Sequence, residues 1–287
     1  MKALLIGANG QLGSDIAGAW RGCDLVPLTH ADIEVTDRES VRAAIERHAP
    51  DLVVNTSAFH NVDLCESEPE RAFAVNASAA LHLADACRDG NAALMHVSTD
   101  YVFSGTAGRA YTEADAPDAI NVYGISKTAG EQIIRSRLDR HYIIRTSGLY
   151  GVAGSSGKGG NFVERMLQLA RAGQDLKVVD DQTTSPTFTA DLAETLLAVA
   201  QREHYGVYHV TNSGAASWHE FARTIFEQAG VAVQLAPTTT TAFASKALRP
   251  AYSVLANTAL IAAGIAPLRR WQEALRDYLG RKGHLPK

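Results

Sequence analysis

Tyr123 and Lys127 are residue types that can do chemistry, and they stand four positions apart in Tyr-Gly-Ile-Ser-Lys. On a helix, that spacing places both side chains on one face. Reduction of a carbonyl group needs a proton for the developing alkoxide, and a phenol can supply it. An unperturbed phenol has a pKa of about 10, which a neighbouring ammonium lowers. The pair therefore indicates proton transfer at a substrate oxygen.

Thr99 is a third candidate, in Ser98-Thr99-Asp100 at the end of an apolar run that predicts a strand. Its hydroxyl could bind a substrate carbonyl oxygen, although a Thr after a strand often only caps a turn. The Tyr–Lys spacing alone can arise by chance. Its position after this strand favours a catalytic Thr99/Tyr123/Lys127 triad.

Three glycines, Gly7, Gly10 and Gly13, lie where the first predicted strand turns into the first predicted helix. Without side chains, the backbone can approach a pyrophosphate, whose charge is met by N–H groups at the helix N-terminus. This predicts a nicotinamide dinucleotide cofactor. The stretch Leu28-Thr29-His30 after the second strand has neither a carboxylate nor an arginine. NADPH is therefore slightly favoured over NADH.

The elements that must position these residues alternate along the first half of the chain. Buried strands are predicted at Ala3–Ile6, Leu25–Leu28, Leu52–Asn55, Leu94–Val97 and Tyr142–Arg145. Helices are predicted at Gln11–Trp20, from a Thr36/Glu39 capping box to His48, at Pro69–Arg88 and at Asn121–Arg137. Such alternation predicts an α/β fold, a Rossmann-type doubly wound parallel sheet. We expect residues 1–150 to form the dinucleotide-binding domain, with chemistry beyond the carboxyl ends of the strands.

Residues 151–287 predict a smaller, mainly substrate-binding C-terminal lobe. Segments at about 180–212 and 250–262 are expected to pack back on the first domain. Helices are predicted at Asn161–Gly173, Ala190–Gln201, Ser217–Gly230 and Trp271–Leu279, with a strand at Val207–Val210. The glycine-rich stretch Gly151–Gly160 predicts a flap over the cleft, and its Lys158 is a candidate partner for a diphosphate.

Composition excludes several function classes. The net charge is −4 with scattered Lys and Arg, which argues against nucleic acid or an anionic membrane as partner. No apolar run approaches the roughly 18 residues of a membrane span. Three well-separated cysteines show no zinc spacing and suit a reducing compartment. We expect a cytoplasmic protein with no metal site.

Along nearly its whole length the chain resembles the dTDP-4-dehydrorhamnose reductase family of extended short-chain dehydrogenases. Matching blocks in the first half are GANGQLG (7–13), PDLVVN (50–55), VDLCESEP (62–69), VSTDYVF (97–103), NVYGISKTAGE (121–131) and RTS (145–147). Further blocks are SPT (185–187), YHVTN (208–212), WHEFA (218–222) and RPAYSVLAN (249–257).

The resemblance implies reduction of the 4-keto group of a nucleotide-linked 6-deoxyhexose by NADPH or NADH, such as dTDP-4-dehydro-L-rhamnose to dTDP-L-rhamnose. Tyr123 would then be the proton donor, Lys127 its partner at the nicotinamide ribose, and Thr99 the hydrogen-bond donor to the carbonyl. Asp100 would contact the substrate. Because of its charge, Arg249 is, like Lys158, a candidate partner for the diphosphate of a nucleotide sugar. The other implied cofactor-binding residues are Gly7, Gly10, Gln11, Leu12, Gly13, Glu34, Val35, Ala58, Phe59 and His60.

The chain departs from the family at Gly148, where well-studied members place a Trp that packs on the deoxyhexose. Loss of that ring removes a large apolar contact surface. Gly148 would admit a bulkier or differently oriented sugar, unless Tyr150 or Trp218 supplies the platform. The resemblance therefore leaves the hexose open.

Other functions stay open on the same scaffold. An epimerase would use the same triad, whereas a dehydratase needs an acidic pair after the threonine, and Tyr101 follows Asp100 instead. A non-catalytic NADP-binding regulatory subunit would not need the intact triad. A monomer or a homodimer is expected.

Overall fold

The computed structural model of the protein describes residues 1–154, 160–243 and 245–286. The strands are β1 (Lys2–Ile6), β2 (Asp24–Leu28), β3 (Leu52–Asn55), β4 (Ala93–Thr99), β5 (His141–Thr146), β6 (Leu149–Tyr150), β7 (Leu176–Val179), β8 (Thr183–Thr184), β9 (Thr187–Phe188), β10 (Gly206–His209), β11 (Asn212–Ser213), β12 (Ala216–Ser217), β13 (Leu235–Thr238) and β14 (Leu268–Arg270). Helices α1 to α6 are Gln11–Ala19, Arg38–His48, Val62–Ser67, Pro69–Phe73, Ala79–Asp89 and Val122–Arg137. Helices α7 to α12 are Phe162–Arg171, Thr189–Ala200, Trp218–Ala229, Thr240–Phe243, Thr258–Ala262 and Trp271–Arg281.

The main sheet confirms the predicted α/β fold. Its six strands are all parallel, in the order β10-β5-β4-β3-β1-β2. The chain runs from β1 outward to β2 and then returns to the other side of β1 with β3. That reversal opens a crevice at the carboxyl ends of β1 and β3, where ligands of such sheets bind.

Helices cover both faces of this sheet, because its strands are apolar on both sides. On one face Ile16 and Trp20 of the α1 region pack with Leu192 and Leu196 of α8. The Trp20 indole also donates to the Ala193 carbonyl at 2.9 Å. On the other face α2, α5 and α6 form a second cluster. The sheet is thus held as a rigid base for the loops at its carboxyl edge.

The C-terminal half has a core of its own between short strand pairs and helices α7, α9 and α12. Its centre is aromatic and consists of Tyr150, Phe188, Phe221, Trp271 and Tyr278. Strand β10, helix α8 and helix α11 nevertheless pack with the main sheet. The division at residue 150 remains a proposal. Within the described ranges, no helix is both long and apolar enough to cross a bilayer.

One predicted helix boundary was wrong, and one predicted helix contains an irregular turn. Helix α2 is capped by Asp37, whose carboxylate accepts from the backbone N–H of Glu39, because the Thr36 hydroxyl is drawn to the Glu34 carboxylate. The predicted helix from Pro69 to Arg88 is interrupted by a π-helical turn at Ala74–Ser78. Such turns are frequent at functional sites.

Candidate active site

The turn between β1 and α1 has the shape of a phosphate cradle. Gly7 has a φ of +82°, which favours glycine, and a Cβ on Gly13 would lie 2.2 Å from the Gly7 carbonyl oxygen. Gly10 is the N-cap of α1, so the free N–H groups of that helix point out of the turn. The residues therefore fit a dinucleotide pyrophosphate, which the N-terminus of α1 would hold.

Thr56, the residue after β3, packs against this cradle and was not predicted from the sequence. Its hydroxyl lies 2.9 Å from the Ile6 carbonyl oxygen and 3.2 Å from that of Gly7. A Cβ on Gly7 would come within 2.6 Å of the same hydroxyl. The cradle is therefore closed by side chain and backbone together, which glycine spacing alone does not reveal.

Gln11 and Leu12 support the turn through their side chains. The Gln11 side-chain oxygen accepts from the Gly151 N–H at 3.0 Å, which ties α1 to the chain that leaves β6. Leu12 is 5% exposed and belongs to the apolar core. Phosphate contact through the backbone N–H groups of these two residues stays a prediction.

On the adenosine side of the crevice, Glu34 and Val35 lie in the loop before α2. The Glu34 carboxylate accepts from the Thr36 N–H and hydroxyl, and Val35 is buried. Asp32 also lies in this loop and was not predicted as a site residue. Its carboxylate returns to the end of β2 and accepts from both the N–H and the hydroxyl of Thr29, each at 2.8 Å.

The loop after β3 carries Ala58, Phe59 and His60. Asn76, in the π-helical turn, accepts from the Phe59 N–H at 2.9 Å and donates to the Phe59 carbonyl at 3.1 Å. The Arg71 guanidinium lies 4.7 Å from the centroid of the Phe59 ring. The interruption of the predicted helix thus fixes the loop that is expected to pass beside the cofactor.

Helix α6 presents Tyr123 to Thr99 at the end of β4. Asn121 caps this helix by accepting from the Gly124 N–H at 2.8 Å. Burial raises the pKa of Tyr123 above its ordinary value, and a hydrogen bond with Thr99 opposes that rise. The spacing of Tyr123 and Lys127 predicted a lowered pKa for this phenol. In the structure burial outweighs the lowering effects, so Tyr123 holds its proton.

Lys127 lies deeper, one helical turn along α6, and is 1% exposed. Its Nζ donates to the Val97 carbonyl at 2.7 Å and lies 3.0 Å from Nε2 of His96. Burial lowers the pKa of Lys127 to about 8, although the carboxylate of Glu131 acts in the opposite direction. Lys127 is thus held between β4 and α6 by two contacts on β4.

The Asp100 carboxyl lies in a buried cluster of hydroxyl groups contributed by four segments. Thr99 donates to its Oδ1 at 3.1 Å, and Ser147 and Ser253 donate to its Oδ2 at 2.9 and 2.5 Å. Thr184 lies beside the same oxygen. Burial raises the pKa of Asp100, and these hydrogen bonds lower it. The predicted contact between Asp100 and substrate stays a prediction.

Gly148 follows β5 with a φ of +55°, and a Cβ there would lie 3.1 Å from Cα of Pro186. Of the two alternative sugar platforms, Tyr150 is wrong because its side chain is fully buried and stacks on Phe188. Trp218 packs on Phe162, with ring centroids 4.7 Å apart. A platform role for Trp218 stays a prediction.

Arg249 is engaged within the protein. Its guanidinium donates to the Asp63 carboxylate at 2.8 Å and to the Ser245 hydroxyl at 3.1 Å. Its role toward a diphosphate stays a prediction. Lys158 and the middle of the predicted Gly151–Gly160 flap, residues 155–159, lie outside the described residues. Among the described residues, no group of three His, Cys, Asp or Glu side chains is placed to hold a metal ion.

Comparison with known proteins gives a consistent result. Residues 1–283 match the family described as RmlD substrate binding domain. Over 280 residues, the chain is 43% identical to the spore coat polysaccharide biosynthesis protein SpsK of Bacillus subtilis, covering 97% of this chain and 96% of that protein. It is 41% identical to a dTDP-4-dehydrorhamnose reductase of Streptomyces griseus, covering 96% and 91% respectively.

Among solved structures, a dTDP-4-dehydrorhamnose reductase of Bacillus anthracis in complex with NADP matches with a TM-score of 0.93. The two chains are 35% identical, and the match covers 98% of this chain and all of the other. The relationship therefore extends over both halves of the molecule.

Proposed function

This chain belongs to the RmlD substrate-binding domain family, and we propose that it reduces the 4-keto group of a dTDP-linked 6-deoxyhexose, with dTDP-4-dehydro-L-rhamnose as the first candidate. It is an NAD(P)H-dependent oxidoreductase of the dTDP-4-dehydrorhamnose reductase type. The proposal concerns its substrate and the residues that act on it. The observation that carries it is the placement of Tyr123, at the start of α6, beside Thr99 at the carboxyl end of β4, on the edge that bears the phosphate cradle.

Each residue of the triad has a role in the proposed reaction. When bound, NAD(P)H supplies the hydride that reduces the carbonyl carbon. Tyr123 gives its proton to the oxygen, and its raised pKa keeps that proton in place beforehand. Thr99 turns its hydroxyl from Asp100 to the same oxygen. The Tyr123 phenolate finally recovers a proton from solvent, so one hydride and one proton are consumed for each carbonyl.

The names of the relatives support a dTDP-linked deoxyhexose without singling out one sugar. The relatives at about 40% identity include the Streptomyces griseus reductase, whose name states the dTDP-4-dehydrorhamnose substrate. They also include SpsK, whose name states only spore coat polysaccharide biosynthesis. Gly148 offers no side chain to a sugar ring, so the residue at this position does not select a particular hexose.

The alternatives are less well supported. A dehydratase would need an acid where Tyr101 stands, and the Tyr101 ring instead packs edge-on to that of Tyr123. A regulatory subunit has no need of Thr99, Tyr123 and Lys127 brought together. No specific contact favours an epimerase.

The test is a panel of substrates with the purified protein. Oxidation of NADPH and of NADH is followed by absorbance with dTDP-4-dehydro-L-rhamnose and with dTDP-4-keto-6-deoxy-D-glucose. UDP-glucose is assayed by chromatography for conversion to its C4 epimer. Turnover of a dTDP-4-keto sugar, with no epimerisation of UDP-glucose, is the expected result. Epimerisation without net NADPH consumption would contradict the proposal.

A further inference from the structure

His96 and Asn55 lie behind Lys127 and are 1% exposed each. They stand opposite each other in the neighbouring strands β4 and β3, so their side chains meet on one face of the sheet. Nδ1 of His96 is 3.1 Å from Nδ2 of Asn55, and Nε2 of His96 is 3.0 Å from Nζ of Lys127. The three side chains form a line from β3 through β4 to α6.

The direction of the hydrogen bonds in this line can be assigned from its far end. The Asn55 side-chain oxygen is occupied by Ser57, whose backbone N–H and hydroxyl lie 3.1 and 2.6 Å from it. A backbone N–H can only donate, so the oxygen of the Asn55 amide must face Ser57 and the NH₂ must face His96. Nδ1 of His96 therefore accepts.

That assignment determines the proton on His96. Burial holds the pKa of His96 well below its usual value, so the ring is neutral. A neutral imidazole whose Nδ1 accepts carries its proton on Nε2. The Nε2–H of His96 then points at Nζ of Lys127. An ammonium at Nζ has only donors, so it could not accept this hydrogen bond, whereas a neutral amine could.

We propose that Asn55 and His96 are positioning residues that hold Lys127 as a neutral amine before the reaction. One N–H of this amine donates to Val97, its lone pair accepts from His96, and the second N–H is left for a ligand. This inference rests on the proposed function in one respect, namely that Lys127 serves the reaction of Tyr123.

The other charged group that acts on Lys127 is Glu131, on the same helix, which favours the ammonium. Its carboxylate is shared with Arg145 and Ser98, which limits that influence. Burial already lowers the pKa of Lys127 to about 8. The orientation of Asn55 acts in the same direction, so Lys127 exchanges its proton near neutral pH.

The direct test is the tautomer of His96, measured from the nitrogen chemical shifts of its ring in the protein without substrate. The signal is assigned by its loss in His96→Phe. His209 provides an internal control, because its Nδ1 lies 3.1 Å from the Tyr111 carbonyl oxygen and must carry the proton there. We expect Nε2–H on His96 and Nδ1–H on His209. A proton on Nδ1 of His96 in the unaltered protein would overturn the inference.

Two substitutions at Asn55 test this assignment by changing the partner of Nδ1 of His96. Asn55→Asp makes the partner an acceptor, and Asn55→Leu removes the donor without adding a charge. Asn55→Asp should move the His96 proton to Nδ1, and Asn55→Leu should remove the constraint that keeps this proton on Nε2. Both should raise the titration midpoint of Lys127, read from its terminal methylene carbon, by at least about one pH unit. Met95→Leu, a volume-conserving change in the buried core beside His96, should alter neither. An unmoved midpoint in a folded Asn55 variant would contradict the proposal.

The pH dependence of kcat/KM distinguishes a positioning role of Asn55 from a merely structural one. In Asn55→Leu, the pH profile of kcat/KM should shift to higher pH with the NMR midpoint, while the KM for the nucleotide sugar stays constant. A loss of activity without that shift would contradict positioning. The NMR measurements need no substrate, so they can succeed or fail independently of the proposed reaction.

Discussion

Gly124 packs directly against the carbonyl oxygen of Tyr101, so closely that a Cβ on Gly124 would lie 2.1 Å from that oxygen. The residue before it is Tyr123, and Tyr101 follows the Thr99-Asp100 pair. This contact brings the start of α6 against the end of β4. It therefore sets the relation between the phenol of Tyr123 and the hydroxyl of Thr99.

Gly124→Ala should separate these two groups, because neither backbone can yield without moving its element. A displacement of about 1 Å can lower a rate about 10²-fold, and we expect a fall in kcat of that order. The matched control is Gly18→Ala, since Gly18 lies in α1 with no atom near its Cβ position. The control should keep full activity and gain roughly 0.5–1 kcal/mol of stability. Equal activity in both variants would show that the contact does not position Tyr123.

The buried ion pair of Glu131 and Arg145 joins α6 to β5 just below the triad. Both side chains are 1% exposed, with N and O atoms 2.7 Å apart. Glu131→Gln leaves the Arg145 charge without its partner, so the free energy of unfolding should fall by about 3–5 kcal/mol.

Denaturant titration measures that loss. The control is Glu46→Gln, which breaks the exposed pair between Glu46 and Arg42 and should cost no more than about 0.5 kcal/mol. Similar losses in the two variants would mean that the buried pair is not a main support of α6.

Asp32 gives a prediction about the cofactor. Its carboxylate, held by Thr29 at the end of β2, lies on the adenosine side of the crevice and should repel the 2′-phosphate of NADPH. Asp32→Asn removes the charge and keeps an oxygen for Thr29. The Kd for NADPH should fall several-fold, and this gain should shrink at high salt. Fluorescence titration with NADH is the control, because NADH lacks that phosphate and its Kd should change little.

Substitution of Gly148 tests whether the hexose binds beside this residue. Gly148→Ala adds a methyl group beside Pro186 and places a side chain at a φ of +55°. Gly173→Ala imposes the same kind of backbone strain, at a φ of +72°, with open space around the Cβ. Each should lose about 1 kcal/mol of stability. The KM for the nucleotide sugar should change in Gly148→Ala alone, and an unchanged KM would place the hexose elsewhere.

Features with a local pattern could be predicted from the sequence. The glycines of the β1–α1 turn, the strand that ends at Thr99 and the helix that carries Tyr123 and Lys127 each have a periodic or spacing signal in one short segment. Side-chain type and spacing were enough to place these groups at one edge of the sheet.

Features that depend on contacts between distant segments could not be predicted in this way. The π-helical turn exists because Asn76 bonds to Phe59, 17 residues earlier, and to Ser126, 50 residues later. His96 follows three apolar residues in β4, and its role depends on contacts with Asn55 and Lys127. The enclosure of Asp100 depends on Ser253, 153 residues away. A polar residue inside a buried strand was the one signal that could have pointed to His96.

The most direct test of the account compares the protein with its Tyr123→Phe variant, using NADPH and dTDP-4-dehydro-L-rhamnose. Loss of the phenolic proton should lower kcat by about 10²–10⁴-fold, the usual contribution of a general acid. NADPH binding, measured by fluorescence, should stay unchanged. Full turnover by Tyr123→Phe would contradict the assignment of Tyr123 as proton donor and with it the proposed reaction.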